Sequence, residues 1–439
     1  MKMRLAWFCE FSSAGWAYPP PDGPYGHGYD YRNVDFYVDA ARGMERGMFD
    51  MVIAADTSAV HRYQGSMMSG LRHGMGCSYL SPQLAMAAMA AVTKNLGFVP
   101  TMATNVFPPY LLAREMATLD NLSGGRAGWN IVTSIADEVA QNFGIDELLS
   151  RDERYDQADE YVAVVEKLWD SWDADAIVMD RENWVFARPG SVREINHQGR
   201  WYKVRGPLNT PRGPQGRPLY LQAGASPRGM DFAARHADAV IAHGNSVEAM
   251  KHICSEIKGR AEKFGRDPAS VKVFFTTRPF IGRSTAEAHA KREHLRGYMM
   301  EHSDLAMWIY TVKSGLDIEK LPLDEPLRAE QFEGLEQGIQ GMFHQYYAEG
   351  STPTLREVVA MQGMNETFQL VGTPAEIVDR IVEAQEESGF DGLAIQDRPS
   401  VARVTEIVDT LVPELQRRGL MRTQFRHKTL RENFFDDEA

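Results

Sequence analysis

Residues 219–242 read LYLQAGASPRGMDFAARHADAVIA, and this stretch decides the fold. The apolar run at 219–223, closed by Gly224, predicts a short buried strand. Ser226 followed by Pro227 marks a helix start: a serine hydroxyl satisfies an orphan amide at the N-cap, and the fixed φ of proline suits the first helical position. A second apolar run at 239–242 predicts the next strand. Strand, helix and strand in this order make a βαβ unit, which builds a parallel sheet. Gly224 allows close approach to the backbone. The amides of the helix start form a seat for a phosphate, to which the Ser226 hydroxyl adds a donor. The plainer reading of Ser226 is a helix cap alone.

Working outward, comparable apolar runs lie at 4–9, 51–55, 96–101, 127–133, 271–276 and 392–395, so eight strands are expected in all. Helical periodicity fills most intervals. It is clearest at 157–172, where Tyr161, Val164, Val165, Leu168, Trp169 and Trp172 share one face. This alternation predicts an α/β fold, a (β/α)8 TIM barrel with loop insertions, as a single domain over 1–439. A minimal barrel needs about 250 residues, so the surplus is assigned to a β and loop insertion at 173–217 and a mostly helical one at 284–366. An open doubly wound sheet binding a dinucleotide would carry GxGxxG after a strand, and the chain has none. The tail at 433–439 reads as frayed.

Composition limits the partners. The 439 residues are 44% hydrophobic and 24% charged, which is globular. Lys and Arg number 47 against 60 Asp and Glu, a net charge of −13, so small molecules are expected rather than nucleic acid or a membrane surface. The three cysteines form no CxxC pair, which predicts neither a disulfide framework nor a cysteine zinc site and implies a reducing, cytoplasmic setting.

In a barrel the chemistry collects where the strands end. Those positions hold Glu10, Asp56, Thr104, Asn130, His243 and Asp397, groups that offer hydrogen bonds. HExxH and GxSxG are both missing, so no metal site and no serine nucleophile is expected. Polar groups without either point to a bound cofactor that carries the reaction. Trp129 and Asn130 must face opposite sides of their strand; a buried Asn binds a ligand or ties strands together. Asp56 is a ligand contact or an Asx cap. His61 and His243 read as polar loop residues.

GMERGMFDMVIAAD, LAMAAMAAVTKNLGF, PPYLLAREMATLDNLSGGRAGWNIVTS, RDERYDQADEYVAVVEKLWDSW, VRGPLNTPRGPQGRPLYLQAGASPRG, LVGTPAEIVDRI and RTQFRHKTLREN follow one another along the chain. In that order they resemble the bacterial luciferase-like flavin-dependent monooxygenases, in the branch of the dibenzothiophene-sulfone and nitrilotriacetate monooxygenases. The resemblance implies a barrel that receives reduced FMN from a separate NAD(P)H:FMN reductase. With O2 it would insert one oxygen atom into a small apolar or heteroatom-containing organic substrate such as a sulfone or an N-heterocycle. It implies that Asp56, Thr104 and Asn130 line the flavin and that Tyr155 and Ser226 hold its phosphate. Where the family often has His, this chain has Arg151, expected to grip the same phosphate. Trp7, Phe8, His61 and His243 are the expected substrate pocket, and the assembly a homodimer or homotetramer. The alternative on the same barrel is a deazaflavin- or flavin-dependent hydride-transfer oxidoreductase.

Overall fold

The computed structural model describes residues 2–15, 30–62, 67–134, 136–224, 226–303, 322–326, 328, 353–364 and 367–436. The eight expected strands are present: β1 (Arg4–Glu10), β2 (Met51–Ala55), β3 (Gly97–Ala103), β4 (Gly128–Val132), β5 (Leu219–Gln222), β6 (Ala239–Ala242), β7 (Lys272–Thr277) and β8 (Gly392–Gln396). They close into a barrel in which every strand runs parallel to both neighbours. The crossovers are helical: α1 (Val34–Arg46), α2 (Pro82–Ala91), α3 (Pro109–Ser123), α4 (Arg151–Trp169), α5 (Pro227–His236), α6 (Val247–Lys263) and α7 (Pro374–Ser388).

Strand side chains alternate between faces, and this divides the core in two. Ala6, Ile53, Val99, Leu221, Ile241, Phe274 and Ala394 fill the barrel interior. Their chain neighbours Trp7, Val52, Phe98, Tyr220, Val240, Phe275 and Ile395 pack outward in the layer shared with the helices.

Two sequence expectations need correction. The helix whose periodic face is expected over 157–172 is α4; its charged opening at SRDERY is the helix start, capped by Ser150 accepting from the Glu153 amide, but the helix ends at Trp169. Trp172 lies beyond it, its Nε1 donating to the Leu208 carbonyl at 2.7 Å. The tail is not frayed at 433–436. Helix Leu430–Phe435 plugs the barrel below the strand starts, where Phe434 stacks on Phe274 with ring centroids 6.0 Å apart. Arg4 Nε donates to the Phe434 carbonyl at 2.6 Å. At the plug, a Cβ on Gly97 would lie 2.6 Å from Leu430 and 2.9 Å from the Asp50 carbonyl, so only glycine fits.

The 173–217 segment carries two antiparallel ladders, Ile177–Asp180 with Val185–Ala187 and His197–Gln198 with Lys203–Val204. Within 284–366, helices Thr285–Glu301 and Leu355–Gly363 are described; residues 304–321, 327, 329–352 and 365–366 lie outside the described residues. Among the described residues, no helix is long and apolar enough to cross a membrane.

Candidate active site

All eight strands end on one side, and the polar residues expected there occupy that mouth. On β4, Trp129 faces the helices and Asn130 faces inward. Asn130 Nδ2 donates to Thr101 Oγ1 on β3 at 2.8 Å, while its Oδ1 is buried with no partner. Thr104, just past β3, is buried and its amide donates to the Val132 carbonyl at 2.9 Å. Next to it Asn105 is buried with both amide atoms unsatisfied. Tyr202, from the 173–217 insertion, donates its hydroxyl to the Thr104 carbonyl at 3.1 Å and so brings that insertion to the mouth.

Asp56 follows β2. Burial pushes its carboxyl up to about 6, against a hydrogen bond from the Thr57 backbone, and the Glu10 charge adds to the rise. It therefore changes charge close to neutral pH. His61 Nε2 lies 2.9 Å from Thr57 Oγ1, and burial pushes its imidazole down. His243 Nδ1 meets Thr276 Oγ1 at 2.6 Å, which in turn lies 3.0 Å from Thr367 Oγ1. Phe8 packs against the interior cluster, but Trp7 does not join it. Trp7 is wholly buried under the helices with Nε1 donating to the Asp397 carbonyl at 2.8 Å, so its assignment to the substrate pocket is corrected. Adjacent strand residues cannot both face the mouth.

A second group gathers where α4 and α5 begin. Ser226 Oγ accepts from the Gly229 amide at 3.1 Å, so it is a helix cap, and the hydroxyl sits at the start of a 10-residue helix. The Tyr155 hydroxyl comes close enough that a Cβ on Gly229 would lie 2.7 Å from it and 3.0 Å from Ser226 Oγ. Glycine at 229 thus keeps this corner open. Arg151 stands one helical turn before Tyr155 on α4, so the two share a face. Burial raises the Tyr155 hydroxyl, and the charges of Arg151, Arg154 and Arg228 oppose that rise. Arg228 also lies over the Tyr155 ring at 5.6 Å and bonds Asp156 and Asp159 at 2.9 and 2.6 Å. Oriented amides and three guanidiniums around one hydroxyl make an environment suited to an anion.

Gln222, Asn105, Arg228 and Tyr202 were not singled out by sequence reading. Gln222 hides as the last residue of an apolar strand, and Arg228 and Tyr202 reach the site by tertiary contacts alone. Asn105 left one signal, an amide beside Thr104 at a strand end.

Residues 3–392 match the model of the luciferase-like monooxygenase family. The chain belongs to this family. It is 38% identical over 411 residues to dibenzothiophene-sulfone monooxygenase of Rhodococcus erythropolis, an alignment covering 92% of this chain and 90% of that one. The crystal structure of DmoA from Hyphomicrobium sulfonivorans superposes with a TM-score of 0.89 at 33% identity, covering 100% of this chain and 93% of that one. A riboflavin lyase solved with modified FMN and riboflavin gives a TM-score of 0.87 at 28% identity over 100% and 97% of the two chains. A coenzyme F420-dependent tetrahydromethanopterin reductase from Methanopyrus kandleri, at 14% identity and a TM-score of 0.55, shares the fold alone. As a family member this chain is a flavin-dependent monooxygenase that works with reduced FMN.

The residues present fit that cofactor. A flavin ring edge offers both N–H donors and carbonyl acceptors. The mouth holds buried amide atoms without partners, Asn130 Oδ1 and both side-chain atoms of Asn105. Buried polar atoms left this way cost about 1–3 kcal/mol each until a ligand satisfies them.

Proposed function

We propose that this luciferase-like monooxygenase is the oxygenase component of a two-component system, fed with reduced FMN by a separate NAD(P)H:FMN reductase in the cytoplasm. The observation that carries this reading is the corner formed by Ser226, Gly229 and the Tyr155 hydroxyl at the start of α5, beside a barrel mouth with unsatisfied buried amides. In this reading Tyr155, Ser226 and Arg151 hold the phosphate, and Asp56, Thr104 and Asn130 line the ring. Phe8, His61 and His243 face the substrate. Bound reduced FMN supplies the two electrons that divide O2 between substrate and water. The protein contributes orientation and dryness, since water admitted beside the reacting groups competes with the substrate. Similarity to a sulfone monooxygenase favours a small organosulfur or comparably apolar substrate, and a homodimer or homotetramer is the proposed assembly.

The test supplies 18O2, NADH, FMN and a generic flavin reductase with a panel of sulfones, thioethers, N-heterocycles and aminopolycarboxylates. One 18O atom per product molecule, and no product without the reductase, is the expected result. Turnover of any substrate with a reduced deazaflavin under strict anaerobiosis would instead assign hydride transfer.

Ser226→Ala is expected to weaken reduced FMN binding by about 1–2 kcal/mol, the usual loss for a cap and a bond to a charged group. Riboflavin lacks the phosphate, so anaerobic titration should show its affinity unchanged; an equal loss for both ligands would place the phosphate elsewhere.

A further inference from the structure

Gln222 is the last residue of β5 and only 2% exposed. It packs toward α4 rather than into the barrel, because Leu219 and Leu221 take the inward positions. Its Nε2 lies 3.3 Å from the Tyr155 hydroxyl oxygen and donates to it. Its Oε1 is buried without a partner. Gly224 makes room for this amide, since a Cβ there would lie 2.4 Å from Nε2 and 3.0 Å from Oε1. A buried amide with one weak bond and one empty acceptor is costly, so its retention requires a reason.

We infer that Gln222 is a positioning residue that turns the Tyr155 hydroxyl outward as a donor. A phenolic oxygen that accepts from behind has its own proton left to give forward. Forward of Tyr155 lie Ser226 Oγ and the first turn of α5, the corner that takes the anion. The opposite amide orientation would set Oε1 against Tyr155 and accept the hydroxyl proton, leaving tyrosine lone pairs facing a phosphate. Arrival of the phosphate therefore selects the donating orientation. Gln222 itself never touches the ligand: it is sealed behind the tyrosine and acts through one proton. This inference rests on the reading that Tyr155 holds the FMN phosphate.

The experiment measures reduced FMN and riboflavin affinities anaerobically for wild type, Tyr155→Phe, Gln222→Met, Gln222→Glu and the double variant Tyr155→Phe with Gln222→Met. Thermal melts confirm that each protein is folded. Gln222→Met should weaken FMN about 5- to 10-fold, the scale of one hydrogen bond, and leave riboflavin unchanged. In the Tyr155→Phe background the same change should have no further effect, because the hydroxyl it orients is gone. Gln222→Glu should weaken FMN more at pH 8 than at pH 6, since only a protonated carboxyl can still donate to the tyrosine. Additive losses in the cycle, or equal losses for FMN and riboflavin, would overturn the inference while leaving Tyr155 on the phosphate. If Tyr155→Phe alone leaves FMN affinity unchanged, Tyr155 has no part in the phosphate seat and the inference falls with it, while Ser226 and Arg151 are judged by their own variants.

Discussion

Asp50→Ala is expected to destabilise the fold by about 3–5 kcal/mol, the cost of stripping one partner from a buried ion pair. Asp50 lies between α1 and β2, at the closed end of the barrel. Its Oδ1 sits 2.7 Å from Arg422 Nη2, with side chains only 1% and 5% exposed. Its Oδ2 accepts from the Leu5 amide at 2.9 Å, and its carbonyl accepts from the Gly97 amide at the same distance. One residue thus joins the starts of β1, β2 and β3. Arg422 carries the clamp onward by donating to the Asn433 carbonyl at 3.0 Å in the plug helix. Alanine would leave the Arg422 guanidinium buried without its counter-charge. Asp50→Asn keeps an acceptor for Leu5 and should cost less. The double change Asp50→Leu with Arg422→Met should fall closer to wild type than either single charge deletion, because an uncompensated charge is worse than none. Urea unfolding checks this: the midpoint should fall with little change in slope. A loss under about 1 kcal/mol would show that the pair is as weak as an exposed one. FMN affinity of the folded variant should be unaltered, since the clamp and the strand ends lie at opposite barrel faces.

The barrel was legible because its strands are apolar runs set off by turn residues, and their bounds moved by only a residue or two between sequence and structure. The beginning of α4 was legible in SRDERY, whose charges read as the solvated first turn of a helix; Ser150 caps it and the helix starts at Arg151. That start decides a functional question, because it puts Arg151 and Tyr155 on one helical face. The plug was hidden: two phenylalanines amid charges resemble a loose tail until the open lower end of a barrel needs filling. Alternation along β1 announces that Trp7 and Phe8 point opposite ways, but not which way is inward. The register of all eight strands settles that. Gln222 was beyond sequence reading, since its meaning depends on a tyrosine 67 residues away.

Arg151 stands where the resemblance drawn from the sequence implied a His, and the proposed exchange of one for the other has a pH signature. An arginine keeps its charge across the physiological range and can hold a phosphate by two parallel hydrogen bonds. A histidine, with an ordinary value of about 6.5, is a cation below that pH and neutral above it. Arg228 shares its charge with Asp156 and Asp159, and Arg151 stands one helical turn before Tyr155 on the same face of α4. Arg151→Ala is therefore expected to lower reduced FMN affinity about 10- to 100-fold at every pH between roughly 6 and 8.5, the range for a lost bond to a charged group. Arg151→His should bind nearly as well as wild type at the acid end and progressively worse toward the alkaline end, as its proton leaves. The phosphate itself titrates near the acid end, so each variant is compared with wild type at the same pH. Riboflavin provides the second control and should bind all three proteins equally. The competing role for Arg151 is a surface pairing with Asp152 or Glu153, worth under about 1 kcal/mol and without consequence for flavin. Equal FMN affinity across the three proteins would establish that role and leave the phosphate to Tyr155 and Ser226, whereas a His variant that weakens as pH rises requires that the side chain at 151 meets the phosphate as a cation.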